Sequence, residues 1–311
     1  MRVAVLAGGG TSEHAISLDT GNAVTAALRK TGHDANLVVL AGFAALDEAV
    51  HADSIAACDA VFVALHGGAG EDGRVQAVLE MVGKPYVGSR PGPSAVAMDK
   101  SWSKQIVRDL GLPTAEWLEI DGSLSHGDLF ALAGEFGYPL VFKPVHEGSA
   151  VGVYLAASED ELEAKLASAG DRHGPWMFER YIAGRELTLP VLCEEAMEII
   201  EIRPKQGFYD YHNKYTKGAT EYFCPADLPA EFAARLSLDG MAAYEALRMR
   251  DMARIDYRLA EDGTAYFLEA NSIPGMTALS LLPMGAKARG IEFPEMCDRL
   301  VRAAAARGAD A

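Results

Sequence analysis

The first third of the chain alternates between short apolar runs and stretches with helical spacing. Buried strands are predicted at Val3–Ala7, Asn36–Leu40 and Ala60–Leu65, because each is a short apolar run bounded by polar or turn-forming residues. Helices are predicted over Ser17–Lys30 and Val75–Met81. Strands that alternate with helices indicate a parallel α/β sheet, which binds ligands beyond the carboxyl ends of its strands.

Two glycine-rich loops follow strands of this predicted sheet. Gly8–Ser12 follows the first strand and His66–Gly73 follows the third, so both are expected at the ligand-binding edge. The first loop does not continue as G-x-G-x-x-G, which argues against a dehydrogenase that binds a dinucleotide.

The rest of the chain mixes strands and helices without a repeat. A helix is expected at Ser94–Leu110, because a glycine and then a proline follow it closely. Further predicted elements are strands at Leu140–Lys143, Val151–Leu155 and Trp176–Glu179, helices at Glu159–Ser168 and near Pro229–Leu247, and a closing helix. We therefore expect three domains, at residues 1–95, 96–183 and 184–311.

Acidic residues outnumber basic residues, 44 to 28, which gives a net charge of −16. Such a surface repels phosphate backbones and anionic lipids, so we expect neither nucleic-acid nor membrane binding. No apolar run approaches the ~20 residues of a membrane span, and the one at the N-terminus is too short for a signal peptide. The four cysteines include no C-x-x-C pair. This pattern is typical of a cytoplasmic protein without a disulfide framework or a zinc site.

A predicted hairpin near the C-terminus carries the most informative polar residues. Asp262–Gly263 is a strong two-residue turn signal between two apolar-rich runs. This turn would place Asp256 opposite Glu269 and Arg254 opposite Asn271, with all four on one face. The core face would then consist of Ile255, Tyr257, Leu259, Tyr266, Leu268 and Ala270.

Two facing carboxylates repel each other unless a cation lies between them. Asp256, Glu269 and Asn271 supply hard oxygen ligands, which suit Mg²⁺ bound together with substrate phosphates, with Mn²⁺ as a substitute. The alternative is an acidic surface whose partners are Arg254 and Arg258.

A candidate phosphate loop lies in the middle of the chain. Lys143 ends a predicted strand, and the glycine loop Gly148–Gly152 could direct backbone N–H groups at phosphate oxygens. The G-x-x-x-x-G-K-[ST] pattern and the protein-kinase motifs are absent, and a plain hairpin with a glycine turn remains an alternative.

Together, Lys143 with its glycine loop, the segment Glu179–Ile182 with Glu186 beyond it, and the hairpin resemble the ATP-grasp superfamily. Within it the chain resembles the D-alanine–D-alanine ligase family. The matching segments are Ala64–Gly67, Gly70–Gly73, Met98–Lys100, Phe208–Tyr211, Lys214–Tyr215, Tyr222–Pro225, Arg254–Asp256 and Leu268–Met276.

This resemblance implies an ATP-grasp fold of the α/β class, with an N-terminal parallel-sheet domain and α+β central and C-terminal parts. It implies that ATP drives the joining of two D-alanine molecules through an acyl phosphate, for peptidoglycan precursors. It also implies a homodimer, and a lid over the site formed by residues 205–220. The residues implied to hold ATP are Lys100, Lys143, Glu147, Ser149, Glu179, Tyr181, Ile182, Glu186 and Lys214.

The resemblance also implies the remaining roles. Asp256, Glu269 and Asn271 would carry two Mg²⁺ ions. Glu13 would meet the ammonium of the first D-alanine, in a hydrogen-bonded trio with Ser149 and Tyr215. The other residues implied at the amino-acid sites are His66 beside the first substrate, Arg254 and the Gly275 amide at the oxyanion, and Ser280 and the Leu281 amide at the second carboxylate.

Several alternatives remain open. Glu13 could be an ordinary charge at a helix N-terminus, and His66 a histidine at a strand end. Ala15 and Ala150 stand where relatives often have glutamate and serine, which bears on substrate range. The chain could join D-alanine to D-serine or D-lactate, although Tyr215 argues against lactate, or it could bind nucleotide without catalysis.

Overall fold

The computed structural model describes residues 1–121, 123–148, 151–167, 174–205, 216 and 218–308. The predicted N-terminal parallel sheet is confirmed, with strand order β2-β1-β3-β4. Its strands are β1 (Arg2–Gly8), β2 (Asp34–Leu40), β3 (Ala60–Val63) and β4 (Tyr86–Val87). The helices in this part are α1 (His14–Lys30), α2 (Leu46–His51), α3 (Asp53–Ala56) and α4 (Arg74–Met81), with 3₁₀ turns at Phe43–Ala45 and Gly68–Gly70.

Helix α1 begins directly after the first glycine loop and lies close against the sheet. Its Gly21 permits this approach, because a Cβ there would stand 2.5 Å from the Cβ of Ala7 in β1. The helix starts three residues earlier than predicted and therefore brings Glu13 to its N-terminus.

The single helix predicted over 94–110 is two helices, α5 (Pro91–Met98) and α6 (Lys100–Asp109). The break lies at Asp99, whose backbone is extended and whose carboxylate accepts a hydrogen bond from the Trp102 amide at 2.9 Å. This is an ordinary N-cap, and it makes Lys100 the first residue of α6.

The second sheet is antiparallel, with strand order β5-β8-β6-β7. It is formed by β5 (Trp117–Asp121), β6 (Leu140–Pro144), β7 (Tyr154–Ala156) and β8 (Pro175–Arg180), with helices α7 (His126–Phe136) and α8 (Glu159–Leu166). The strand predicted at 151–155 starts only at Tyr154, because Gly152 has a φ of +72° and belongs to the turn.

The third sheet is also antiparallel, with strand order β12-β11-β9-β13-β14 and β10 beside β9. Its strands are β9 (Arg185–Leu192), β10 (Glu195–Ala196), β11 (Ile200–Pro204), β12 (Thr220–Phe223), β13 (Met252–Leu259) and β14 (Ala265–Asn271). Helix α9 (Ala230–Ala246) packs on it through Leu236, Ala243 and Tyr244. The α/β class with α+β central and C-terminal parts is confirmed.

The chain ends with α10 (Leu281–Ala288) and α11 (Phe293–Arg307). Helix α11 returns to the first sheet, where Leu300 and Val301 are fully buried in the core that surrounds β1 and β3. Among the described residues, no helix combines the length and apolar character needed to cross a membrane.

A buried ion pair fixes the end of α11. The Asp251 carboxylate is fully buried and accepts hydrogen bonds from both terminal nitrogens of Arg307, at 2.6 and 2.7 Å, and from the Gly88 amide at 2.8 Å. This arrangement joins α11, the end of β4 and the start of β13.

We expect Arg307→Met to destabilise the protein by about 3 kcal/mol, because it removes both guanidinium hydrogen bonds from the buried Asp251 carboxylate and leaves only Arg250, at 4.0 Å, as a cationic partner. Urea unfolding measures the change. The control is Arg302→Met on the same helix, where Arg302 forms an exposed pair with Asp298 and a much smaller effect is expected. Equal effects of the two substitutions would show that the buried pair has no special role.

Candidate active site

Two adjoining cavities contain every predicted site residue that the structure describes. The larger, about 320 Å³, is lined by Glu13, His66, Lys100, Glu147, Arg254, Glu269, Asn271, Gly275, Ser280 and Leu281. The smaller, about 100 Å³, is lined by Lys100, Lys143, Glu147, Glu179, Tyr181, Ile182, Glu186, Arg254, Asp256 and Glu269. Four residues therefore lie at the junction of both cavities. Ser149, Lys214 and Tyr215, like most of the predicted lid, lie outside the described residues.

The predicted register of the hairpin is confirmed at the site. Strands β13 and β14 pair Asp256 with Glu269 and Arg254 with Asn271. The predicted two-residue turn is wrong, because Leu259 pairs with Ala265 and the Ala260 amide bonds to the Thr264 carbonyl at 2.9 Å. The longer turn shifts the strand pairing by one residue, and a β-bulge between the turn and the site shifts it back. The residue pairs at the site are therefore the predicted ones.

The bulge also changes which side chains face the core. Tyr257 pairs with Phe267, so Leu268 is the extra residue of β14. Phe267 is fully buried in the core, whereas Leu268 lines the smaller cavity. The prediction that Leu268 packs on the core face was therefore wrong, because an inserted residue shifts the alternation of the strand.

Asp256 is held in a fixed orientation within the site. One carboxylate oxygen accepts hydrogen bonds from Thr188 Oγ1 at 2.6 Å and from Arg254 Nε at 2.9 Å, and the other from Arg254 Nη2 at 2.7 Å. Asp256 and Arg254 are only 6% and 8% exposed, so the alternative of an acidic surface is excluded for this pair.

The set Asp256, Glu269 and Asn271 fits a hard divalent cation, since it offers two carboxylates and an amide at one end of the hairpin. Within the described ranges, no three His, Cys, Asp or Glu side chains are grouped so that they could hold a metal ion.

Glu186 lies beside these carboxylates in the smaller cavity. Burial raises its pKa to about 7, and the charges of Asp256 and Glu269 act in the same direction, although Arg258 at 3.3 Å opposes them. The site thus concentrates negative charge where a cation or hydrogen-bond donors of a ligand would relieve it.

The raised pKa of Glu186 predicts a pH-dependent stability for the ligand-free protein. Because the folded pKa lies above the unfolded value of about 4.5, the contribution of Glu186 is most favourable below pH 4.5 and is lost as pH rises through 7. We expect the wild type to lose about 2 kcal/mol relative to Glu186→Gln between pH 5 and pH 8, measured by urea unfolding. A constant difference between the two proteins over this pH range would contradict the shift.

A buried charged cluster forms the floor of the smaller cavity. Glu179 binds Lys143 through one oxygen and Lys104 through the other, both at 2.6 Å. Burial would raise the pKa of Glu179, but the two lysines outweigh it and lower the pKa to about 2. Burial lowers the pKa of Lys104 to about 8, although Glu179 opposes the shift. Lys104 was missed from the sequence, although it follows Lys100 by one helical turn on the same helix.

Lys100 connects the candidate phosphate loop to the hairpin. Its ammonium donates to the Glu147 carbonyl at 2.5 Å and lies 3.5 Å from the Glu269 carboxylate. Lys100 is the first residue of α6, so the helix break at Asp99 places this lysine at the junction of the two cavities.

Both glycine-rich loops meet at the far end of the larger cavity. Glu13 comes directly before α1 and is 7% exposed, with no side-chain hydrogen bond that caps the helix. A Cβ on Gly67 would stand 2.8 Å from a carboxylate oxygen of Glu13, and Gly67 has a φ of +71°. Glycine at this position therefore lets the second loop lie against Glu13.

His66 has partners that were not recognised in the sequence. Its Nε2 lies 3.0 Å from Thr20 Oγ1, and its Nδ1 lies 3.4 Å from a Glu71 oxygen. All three residues line the larger cavity. His66 is thus a satisfied strand-end histidine that also faces the cavity, so the two interpretations are compatible.

Ser280 immediately precedes α10 at the other side of the larger cavity. Its hydroxyl lies 3.1 Å from the Thr277 amide, which donates to it, and 2.9 Å from the Thr277 hydroxyl. A Cβ on Gly275 would stand 2.9 Å from Ser280 Oγ, so glycine leaves room for this hydroxyl. The N-terminus of α10, which includes the Leu281 amide, favours an anionic group here.

Comparison with known proteins identifies close relatives of the chain. It matches the families described as D-ala D-ala ligase C-terminus, over residues 106–302, and D-ala D-ala ligase N-terminus, over residues 41–89. The D-alanine–D-alanine ligase of Anaeromyxobacter sp. (strain K) is 42% identical over 308 residues, which cover 98% of this chain and 97% of the relative. That of Aquifex aeolicus (strain VF5) is 41% identical over 309 residues, which cover 97% and 100%.

Solved structures support the same relationship. The crystal structure of D-alanine–D-alanine ligase from Bacillus anthracis complexed with ATP has a TM-score of 0.82 and 35% sequence identity. The match covers 99% of this chain and 97% of that chain. The predicted ATP-grasp fold is therefore confirmed.

Proposed function

The chain belongs to the D-alanine–D-alanine ligase family. On this basis we propose which of its two cavities binds ATP and which binds the two amino acids. The enzyme joins two molecules of D-alanine to D-alanyl-D-alanine, a precursor of peptidoglycan. One observation carries the assignment of sites: both cavities share Lys100, Glu147, Arg254 and Glu269, so a phosphoryl group could pass between them.

We propose that the smaller cavity binds ATP. Lys143 and Lys100 would hold the phosphates, because both ammonium groups lie at the cavity, and the glycine loop with Ser149 would cover them. Glu179, Tyr181, Ile182 and Glu186 would line the adenosine pocket, and Lys214 would add a further phosphate contact.

Mg²⁺ would be held by Asp256, Glu269 and Asn271, with Mn²⁺ as a substitute and two ions as the proposed number. When bound, the metal neutralises charge on the phosphates during transfer. The chain contributes the fixed orientation of Asp256, which Thr188 and Arg254 secure.

The larger cavity would bind both amino acids. We propose that Glu13 binds the ammonium of the first D-alanine, with Ser149 and Tyr215 closing this end, and that His66 lies beside it. Ser280 and the Leu281 amide would bind the carboxylate of the second D-alanine at the N-terminus of α10.

The chemistry has two steps. A carboxylate oxygen of the first D-alanine attacks the γ-phosphorus of ATP, the bond between that phosphorus and the β,γ-bridging oxygen breaks, and ADP leaves. The amine of the second D-alanine then attacks the acyl carbon, loses a proton, and phosphate leaves with the oxygen of the broken carbon–oxygen bond. Arg254 and the Gly275 amide would stabilise the oxyanion formed between these events.

Other features of this proposal follow the family. We propose that the enzyme works in the cytoplasm as a homodimer, and that domains 1–95, 96–183 and 184–311 each contain one of the three sheets. The alternative acceptors D-serine and D-lactate are not favoured, because relatives that are 41% and 42% identical over almost the whole chain are D-alanine–D-alanine ligases, whereas a matching D-Ala:D-Ser ligase is 26% identical.

A substrate panel tests the proposed function. The purified protein is incubated with ATP and Mg²⁺ and with D-alanine alone, with D-alanine plus D-serine or D-lactate, or with L-alanine, and released phosphate and product mass are measured. We expect phosphate release and D-alanyl-D-alanine with D-alanine alone. Phosphate release only with L-alanine would overturn the assignment, and a product that requires D-lactate would change the second substrate.

A further inference from the structure

Lys104 lies at the centre of a buried network that connects three parts of the fold. Its side chain is fully buried in α6, and its ammonium donates to Glu179 Oε1 in β8 and to Thr114 Oγ1, both at 2.6 Å. The Thr114 hydroxyl in turn donates to the Phe267 carbonyl in β14 at 2.8 Å. Lys104 thus joins the second sheet to the hairpin of the third sheet.

Each of the two lysines in this network forms an ion pair with a different carboxylate oxygen of Glu179. Lys143 takes Oε2 and Lys104 takes Oε1, so each carboxylate oxygen has one cationic partner. Glu179 is 3% exposed and cannot obtain a replacement partner from bulk water. Without Lys104 the carboxylate could turn both oxygens toward Lys143.

The net charge of this cluster also supports a role in binding the phosphates of a nucleotide. Two lysines and one glutamate give this buried cluster a net charge of +1, which favours an anion beside Lys143, whereas Glu186, Asp256 and Glu269 in the same cavity favour a cation. Lys104 itself does not line either cavity, whereas Lys143 and Glu179 line the smaller one.

We propose that Lys104 is a positioning residue for the nucleotide: by holding one oxygen of Glu179, it keeps Lys143 available to the phosphates of ATP. The inference rests on the proposed function, because it takes Lys143 and Glu179 as nucleotide-binding residues. In this role Lys104 acts through Glu179 and Lys143, since Lys104 itself lines neither cavity.

Lys104→Met tests the inference, since methionine fills much of the space and leaves Glu179 paired with Lys143. We expect the KM for ATP and the Kd for ADP to rise by about tenfold to a hundredfold, the range that corresponds to losing one hydrogen bond between charged groups. The KM for D-alanine should stay close to the wild-type value. Lys104→Leu, which also removes the donor to Glu179, gives the same comparison if the methionine variant does not fold.

Thr114→Val is the matched control, because it removes the other partner of Lys104 and keeps the pair with Glu179. It should lower the melting temperature as Lys104→Met does, but leave the Kd for ADP near the wild-type value. If both variants lower the melting temperature and both keep wild-type ADP affinity, Lys104 is only structural and the inference is overturned.

A third variant, Lys143→Met, shows whether a negative result refutes only the role of Lys104 or the proposed nucleotide site as well. If Lys143→Met binds ADP as well as the wild type, the nucleotide site itself is wrongly assigned. If Lys143→Met loses ADP affinity and Lys104→Met does not, the nucleotide site stands and only the role of Lys104 is refuted.

Discussion

Glu269→Gln should lower kcat by about 10³-fold or more while the protein stays folded. The substitution keeps the size of the side chain but removes a negative charge opposite Asp256, where the proposed metal would bind. It also removes the charge that faces Lys100 at the junction of the cavities. Steady-state kinetics at several Mg²⁺ concentrations measure the effect, and the melting temperature checks the fold.

Glu261→Gln is the control for this substitution, because Glu261 lies exposed in the loop of the same hairpin. We expect wild-type kinetics for it. Near-normal turnover of Glu269→Gln with an unchanged Mg²⁺ dependence would refute the proposed metal site.

Arg254→Lys should lower kcat by about 10²-fold to 10³-fold, although the positive charge is kept. The Arg254 guanidinium donates to both oxygens of Asp256 and lines both cavities. A lysine offers no planar fork, so it cannot both secure Asp256 and face the oxyanion. Single-turnover kinetics with saturating ATP and D-alanine measure the chemical step.

Arg258→Lys distinguishes a role in chemistry from a role in nucleotide binding. Arg258 lies on the same strand but bonds to Glu186 and to the Ile182 and Gly184 carbonyls beside the proposed adenosine pocket. It should raise the KM for ATP and leave kcat nearly unchanged. If Arg254→Lys shows this same pattern, Arg254 serves binding and not the oxyanion.

The sequence predicted the strand pairs of the hairpin at the site because local rules govern them. A two-residue turn signal and period-two alternation led to the correct pairs Asp256–Glu269 and Arg254–Asn271. They could not show the bulge at Leu268, because Phe267 and Leu268 are both apolar and the sequence does not indicate which of the two faces the core. The predicted turn was one residue too short and the bulge was not predicted. The two resulting shifts in strand pairing are opposite and cancel at the site.

The buried charges could not be predicted for a different reason. Lys104 lies on a helix with several polar residues, where a lysine is normally solvated, and its partner Glu179 is 75 positions away in the chain. The contact of His66 with Thr20 likewise forms only once α1 lies against the first sheet, whereas its other partner, Glu71, lies five residues away in the same loop. By contrast, an aspartate such as Asp99 is a recognisable N-cap residue. The break between α5 and α6 could therefore have been predicted from the sequence.

The central claim is that the carboxylate of the first D-alanine attacks the γ-phosphate of ATP to give an acyl phosphate. D-alanine labelled with ¹⁸O in both carboxylate oxygens tests it directly, with mass spectrometry of the released phosphate and of the dipeptide. An acyl phosphate requires one ¹⁸O in each phosphate and the loss of one ¹⁸O from the first residue of D-alanyl-D-alanine. Unlabelled phosphate, formed while D-alanyl-D-alanine accumulates, would contradict the account.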